Sequence, residues 1–341
     1  MGIWEKPKPA FLDKLKENFN FEPPREHGFN TVEAIKAMSN GDGKIFFAMG
    51  GNFLSASPDT EYTAKALQNC DMTIQVSTKL NRSHLITGKT AIILPCLGRT
   101  ELDIQNDEKQ FVSVENSMGI VHASRGGLTP ASEHLRSEPH IIAKLAVATL
   151  QNSNTDWESL ISNYDLIRDA IEKTIPGFDN YNQRVRNDGG FYLPNGARDG
   201  NFKTKTGKAN FTINTLPKHQ LKNDEYHMMT IRTHDQFNTT IYGLDDRYRG
   251  IYNGRRVVMM NKEDIEAANL KAGEYIDLYN HHENIERVAP RFMIVEYNIP
   301  RQCIATYFPE ANVLVPINQY AHKSHTPASK QVLVTIKKCN T

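Results

Sequence analysis

The chain has 341 residues, 39% of them hydrophobic, enough to fill two sizeable cores, so two domains are the natural expectation. Forty basic against thirty-nine acidic residues leave a formal charge of +1, which excludes a whole-molecule field that would attract nucleic acid or an anionic membrane; any anion site must be local. Apolar runs such as 44–49 and 91–94 fall far below the roughly 20 residues of a membrane span, and residues 1–20 mix Lys, Glu, Pro and Asp without the apolar core of a secretory signal, so a soluble, cytoplasmic chain is expected.

From Thr31 to about Leu150 strands alternate with helices: a strand at 44–49, a helix at 58–69 with Pro58 suited to its first turn, a strand at 72–76, a polar loop, and a strand at 90–94. That alternation predicts a doubly wound, mostly parallel sheet. Helices follow at 137–151 and 156–174, the second with Asp156 at its N-cap, and the first domain is expected to span 1–175. Residues 176–224 are rich in Gly, Asn, Pro and Lys and predict a connecting arm with some hairpin content. After Tyr226 short strands recur, at 228–231, 256–260, 275–279, 291–295, 311–316 and 331–336, with a small helix at 262–269, a pattern that predicts a β-barrel over 225–341.

Cys70, Cys96, Cys303 and Cys339 are too far apart for a C-x-x-C pair, so they read as isolated reduced thiols and supply neither zinc nor iron–sulfur ligands. His281-His282-Glu283 is not a metal triad, since adjacent residues on a strand face opposite ways. His322 and His325 allow a zinc reading, but no third or fourth ligand is identifiable. His27, His84, His134, His140 and His219 read as surface or capping residues, and Arg125-Gly126-Gly127 as a solvated turn.

Candidate ligand groups cluster where apolar strands end. Gly50-Gly51-Asn52-Phe53 follows the first strand and can bring backbone N–H groups close to an anion, although it lacks the full G-x-G-x-x-G spacing and also fits an ordinary tight turn. Ser77, Thr78, Lys79, Asn81 and Arg82 follow the second strand, at the edge where open α/β sheets bind ligands; Ser77 and Asn81 also suit turn capping. Pro95, Gly98 and Arg99 follow the third, with Cys96 as an apolar filler. The densest group is Arg232-Thr233-His234-Asp235-Gln236-Phe237-Asn238-Thr239-Thr240, where Arg232 can grip phosphate oxygens and Gln236, Asn238 and Thr239 add amide and hydroxyl donors. Downstream, Asn312 lies in the apolar stretch before a second polar loop that carries His322, Lys323, Ser324 and Lys330.

These last two motifs, with Phe46 to Asn52 upstream, resemble the C-terminal part of the molybdopterin oxidoreductases, in particular the formate-dehydrogenase-like FdhF/YdeP group. The resemblance implies an α/β domain holding one guanine-dinucleotide arm, through the Gly50 loop and Asn52, followed by a double-psi type β-barrel closing over the pterins, with the 322–330 loop beside the pterin and its phosphates. It also implies a bis-molybdopterin guanine dinucleotide cofactor carrying molybdenum or tungsten, a two-electron reaction of which formate oxidation is the first example, and an electron acceptor or donor not identifiable here. The family's metal ligand, iron–sulfur ligands and substrate-activating residues come from N-terminal domains and have no recognisable counterpart here, so no catalytic and no metal-binding residue is assigned. Met1-Gly2-Ile3-Trp4 reads like an internal segment, and the expectation is an inactive fragment whose partner is the N-terminal half of the same enzyme. A free-standing pterin-binding subunit of a split enzyme, and a nicotinamide dehydrogenase without the usual glycine fingerprint, stay open as alternatives.

Overall fold

The computed structural model describes residues 8–215 and 220–339; His219 and the segment 1–4 lie outside the described residues. The chain divides into two compact units, each built from two stretches: Met1–Gly28 with Pro95–Pro217, and Phe29–Leu94 with Lys218–Thr341. The expected boundaries near 175 and 225 do not coincide with this division. Reading domains as continuous stretches misses a chain that leaves a core and returns to it, and here the strands at 45–49 and 72–77 share a unit with the barrel.

In the first unit, helices Pro9–Phe19, Glu138–Thr149, Trp157–Ser162 and Tyr164–Thr174 accompany an antiparallel sheet of Val112–Glu115, Ile120–Ser124 and Phe191–Tyr192. The helix expected over 156–174 is two helices, broken at Asn163, which leaves helical geometry (φ −148°) and caps the second by accepting from the Asp165 N–H. Asp156 does cap the first, accepting from the Ser159 N–H. The alternation of strand and helix stops before this point: 104–105 with 108–109, and 112–115 with 120–124, are antiparallel hairpins.

The second unit begins with helix Thr31–Asn40, started by a reciprocal Asn30/Glu33 capping box and stopped by Gly41 at φ 82°. Strand β1 (Ile45–Met49) pairs parallel with β2 (Met72–Ser77), and β3 (Thr90–Pro95) lies beyond β2. Helix Thr60–Gln68 connects β1 to β2; it starts after Asp59, in the left-handed region at φ 50°, so Pro58 precedes the helix and does not open it. Val32, Ile35 and Met38 pack with Leu54, Ala66 and Leu67 into one core.

The barrel strands are β4 (Glu225–Ile231), β5 (Val257–Met260), β6 (Tyr275–Asn280), β7 (Arg287–Glu296), β8 (Cys303–Tyr307) and β9 (Val332–Lys338). They close in the order β5-β7-β6-β9-β4-β8, with β5–β7 and β8–β4 parallel and the other pairs antiparallel. Alternate residues fill the interior, among them Tyr226 and Met228, Ile276 and Leu278, Val332 and Val334. In β7 the inward phase changes from Arg287 and Ala289 to Phe292 and Ile294. One extra residue is absorbed opposite Asp277, whose carboxylate accepts the N–H of Arg291 (φ 58°) at 2.8 Å, a bulge that lets the strand run through Pro290. The stretch 311–316, expected as a strand, is instead a turn of 3-10 helix at Asn312–Leu314.

Within this unit the barrel is locked to the helical layer by a buried ion pair. Arg287 donates from Nε and Nη2 to Asp59 Oδ2 at 2.9 and 2.8 Å, both side chains under a tenth exposed. Alongside, Asn312 returns the contact by donating to the Ser55 carbonyl at 2.7 Å, while its own carbonyl accepts the Asp59 N–H.

Candidate cofactor site

The loop after β1 turns on two glycines with positive φ, 66° at Gly50 and 75° at Gly51, and the Gly50 N–H stays on the Val76 carbonyl of β2 at 2.8 Å. A Cβ on Gly51 would meet open space, so its backbone borders a vacancy, not a neighbour. Asn81 fixes the loop from the side: its amide donates to the Gly51 carbonyl at 2.8 Å, and its Oδ1 accepts the Ser83 N–H to cap the 3-10 turn Arg82–Leu85. Ser83 Oγ in turn donates to Asn52 Oδ1 and accepts the Leu54 N–H. Ser77 closes a local turn through the Lys79 carbonyl, while Thr78, Lys79 and Arg82 are exposed. His84 is a capping residue, accepting the Asn81 N–H at Nδ1.

The loop after β4 divides its polar groups into two sets. Thr233 is buried and accepts from Arg255; Gln236 donates from Nε2 to the carbonyls of Asn238 and Phe308 and accepts from Arg255 at 3.0 Å; Arg255 itself is paired with Glu310 at 2.6 Å. His234 packs against Tyr248 with its ring tilted by 39° and contacts Asp246, a buried carboxylate that also accepts from Arg249 and Tyr307. Burial alone would raise the pKa of Asp246, and these donors more than offset it, so it lies below the ordinary range. Thr233, His234 and Gln236, expected as ligand contacts, are therefore consumed in holding the loop.

Arg232, Asn238 and Thr239 are the other set. They line one cavity of about 600 Å³ with Phe46 to Phe53, Ala56 and Phe308. Asn238 sits in the left-handed region at φ 52°, at the tip of a short hairpin formed by 236–237 and 240–241. The Arg232 guanidinium lies over the Phe308 ring, 5.6 Å from its centroid, and pairs with no carboxylate among the described residues. Lys330 donates to the Thr230 carbonyl; burial first, and the charge of Arg232 second, push the pKa of its ammonium down. Arg232 in the cavity and Lys330 near enough to feel its charge, neither paired with a carboxylate among the described residues, make this a locally positive region. Asn52 also lines a second cavity of about 380 Å³ with Arg82 and Arg256. Sequence reasoning missed Phe308, Arg255 and Arg256, since nothing in their local pattern marks them.

Other expected groups fall elsewhere. Asn312 is buried and its amide is used on Ser55, so it braces the fold. His322, Lys323 and Ser324 are exposed on a turn closed by the Ala321 N–H on the Thr326 carbonyl. His325 Nδ1 sits 2.6 Å from the Asn30 amide, which leaves that nitrogen engaged, and the described residues hold no group of three or more His, Cys, Asp or Glu able to bind a metal. Pro95, Gly98 and Arg99 belong to the first unit, where Glu101 accepts the N–H groups of Gly98 and Ala131 and so shapes their loop.

The barrel can be placed by comparison with known proteins: residues 226–334 match the model of the molydopterin dinucleotide binding domain. This segment belongs to that domain family. Over 99% of its length the chain is 50% identical to a Mycobacterium tuberculosis protein described as an uncharacterized oxidoreductase, of which it covers 44%. It is 40% identical over its whole length to YdeP of Escherichia coli, of which it covers 46%. The chain thus spans less than half the length of the curated relatives it matches, and the expected resemblance to the YdeP group is borne out. Acetylene hydratase from Pelobacter acetylenicus shares the fold, with a TM-score of 0.58 over 97% of this chain and 50% of that one, at 14% identity. No helix among the described residues is long and apolar enough to cross a membrane.

Proposed function

We propose that the cavity between the β1 loop and the β4 loop takes one dinucleotide arm of a molybdopterin guanine dinucleotide. The observation that carries this is Arg232, a cation paired with no carboxylate among the described residues, lining one cavity with the amide of Asn238, the hydroxyl of Thr239 and the Gly50-Gly51 loop. These residues fit the group: Arg232 would hold phosphate oxygens, the Gly50-Gly51 backbone would allow close approach, and Asn52 and Asn238 would offer amides to a polar ring edge. When bound, the pterin dithiolenes hold molybdenum or tungsten, at which two electrons are exchanged. The chain's own residues bind and orient; they move no proton and supply no metal ligand in this reading.

The whole protein is then a formate-dehydrogenase-like, cytoplasmic oxidoreductase using two such pterins and a separate electron partner, its barrel of the double-psi type and its α/β sheet doubly wound once complete. The chain alone has no redox activity, and the remaining polypeptide of the longer relatives supplies the metal-holding groups. Supporting this are the family match of the barrel and the length of those relatives. Calorimetric titration with guanosine diphosphate, which reproduces the guanosine and pyrophosphate of the cofactor, tests the site. Saturable binding that Arg232→Ala and Asn238→Ala weaken is the expected result; binding of NAD in preference, or no binding of either, overturns it.

A further inference from the structure

The helices dress one side of the small sheet at β1 and leave β3 bare. Phe46 of β1 faces the core formed with helices Thr31–Asn40 and Thr60–Gln68. The opposite face of β1 is open, with Ile45 63% and Met49 39% exposed, and β3 is open on both faces, with Ile92 37% and Ile93 42% exposed. Parallel sheets are stable when both faces are covered, and their strands then read as continuous apolar runs. Ala91-Ile92-Ile93-Leu94 is such a run, yet its first three residues are exposed and its last is only half-buried. A bare apolar strand at a sheet edge is also a site for unwanted pairing, which proteins ordinarily cover.

We propose that this apolar surface of β1 and β3 is the docking face for further polypeptide of the same protein, the part by which its relatives exceed this chain. The occupant follows from two facts: the match to each relative runs through 99% or more of this chain, so the sheet is common to them, and the chain accounts for only 44–46% of their length. The added polypeptide seals the sheet with apolar side chains, by further strands or by packed helices. The proposal is independent of what fills the cavity.

Hydrogen–deuterium exchange tests it on two purified proteins: this chain, and full-length Escherichia coli YdeP prepared from cells unable to make the pterin. Backbone amides of 45–49 and 90–95 are expected to exchange at least tenfold faster in this chain than in the aligned segments of the relative, while those of β6 and β9 exchange alike in both. Equal exchange of the sheet segments would overturn the proposal. So would protection in this chain together with twice the monomer mass in sedimentation, which would make a second copy the cover. Because the relative carries no cofactor in this comparison, failure of the cofactor reading leaves the result unchanged.

Discussion

Arg232→Ala separates a cation that serves a ligand from one that serves the fold. Its side chain is exposed and touches the face of Phe308 at 5.6 Å; a cation–π contact at an exposed site contributes about 0.5 to 1 kcal/mol. Against that loss stands relief for Lys330, whose ammonium is disfavoured by burial and then by the Arg232 charge, so its pKa moves back up in the variant. The two effects oppose, and the net change in stability is below about 1 kcal/mol, which shifts Tm by only a few degrees. A charge-assisted hydrogen bond to phosphate is worth about 1.5 to 3 kcal/mol, so the Kd for guanosine diphosphate should rise roughly ten- to a hundredfold. The assay is calorimetric titration beside thermal denaturation of wild type and variant. An unchanged Kd with a Tm lowered by about 10 °C would assign Arg232 to the fold and refute the reasoning.

Gly51→Ala should cost about 1 to 2 kcal/mol in chemical denaturation, the strain of a side chain at φ 75° and no more, because the new Cβ meets open space; a larger loss would mean the vacancy is filled. Asp59→Asn keeps a residue tolerant of φ 50° but leaves the Arg287 guanidinium buried without its counter-charge, so urea unfolding should show a loss of about 3 kcal/mol or more, and a loss under about 1 would remove this pair from the fold's supports. Arg255→Ala strands Glu310 and frees the Gln236 amide, and should destabilise by about 3 kcal/mol while weakening nucleotide binding indirectly; Arg255→Lys should recover only part of both, since an ammonium cannot reproduce the fork. Acid and alkali should each erode stability for an identifiable reason. Asp246 lies below the usual range, so its contribution is present above about pH 4 and lost as pH falls through its folded pKa. Burial, then hydrogen bonds to Asp246 and Asp103, push the phenols of Tyr307 and Tyr164 up; their contribution is full below about pH 10 and lost as pH rises from there. A melting-temperature profile flat to pH 12 would contradict the alkaline half.

Much of the local structure was legible because its causes are local. The Asp156 cap that accepts the Ser159 N–H, the small helix after Asn261, and the strand that ends at Ile231 are each set by residues within a turn or a strand of one another. The errors share a different cause. Pro290 looks like a strand breaker until Asp277, on a neighbouring strand, accepts the Arg291 N–H and the bulge absorbs it. Asn312 carries the same donors whether it faces a ligand or Ser55, and only the packing of the barrel on the helical layer decides.

The same limit explains why the candidate site could be located but not resolved. In the run 232–240 an imidazole, three hydroxyls and two amides are chemically equal candidates, and their division depends on Arg255 and Asp246, which reach back from later in the chain. The cation pair is more remote still, because Arg232 and Lys330 lie about a hundred positions apart in sequence. They meet because β4 and β9 run antiparallel with Met228 opposite Val332, and the next step along that register brings the Thr230 N–H to the Ser329 carbonyl and the Lys330 ammonium to the Thr230 carbonyl. A slip of one residue would turn Val332 and Val334 out of the barrel, so the core that fixes the register also fixes the charge pair. The anion affinity proposed for this site is thus a by-product of barrel packing, and a variant that loosens β9 should weaken nucleotide binding without touching a ligand-facing atom.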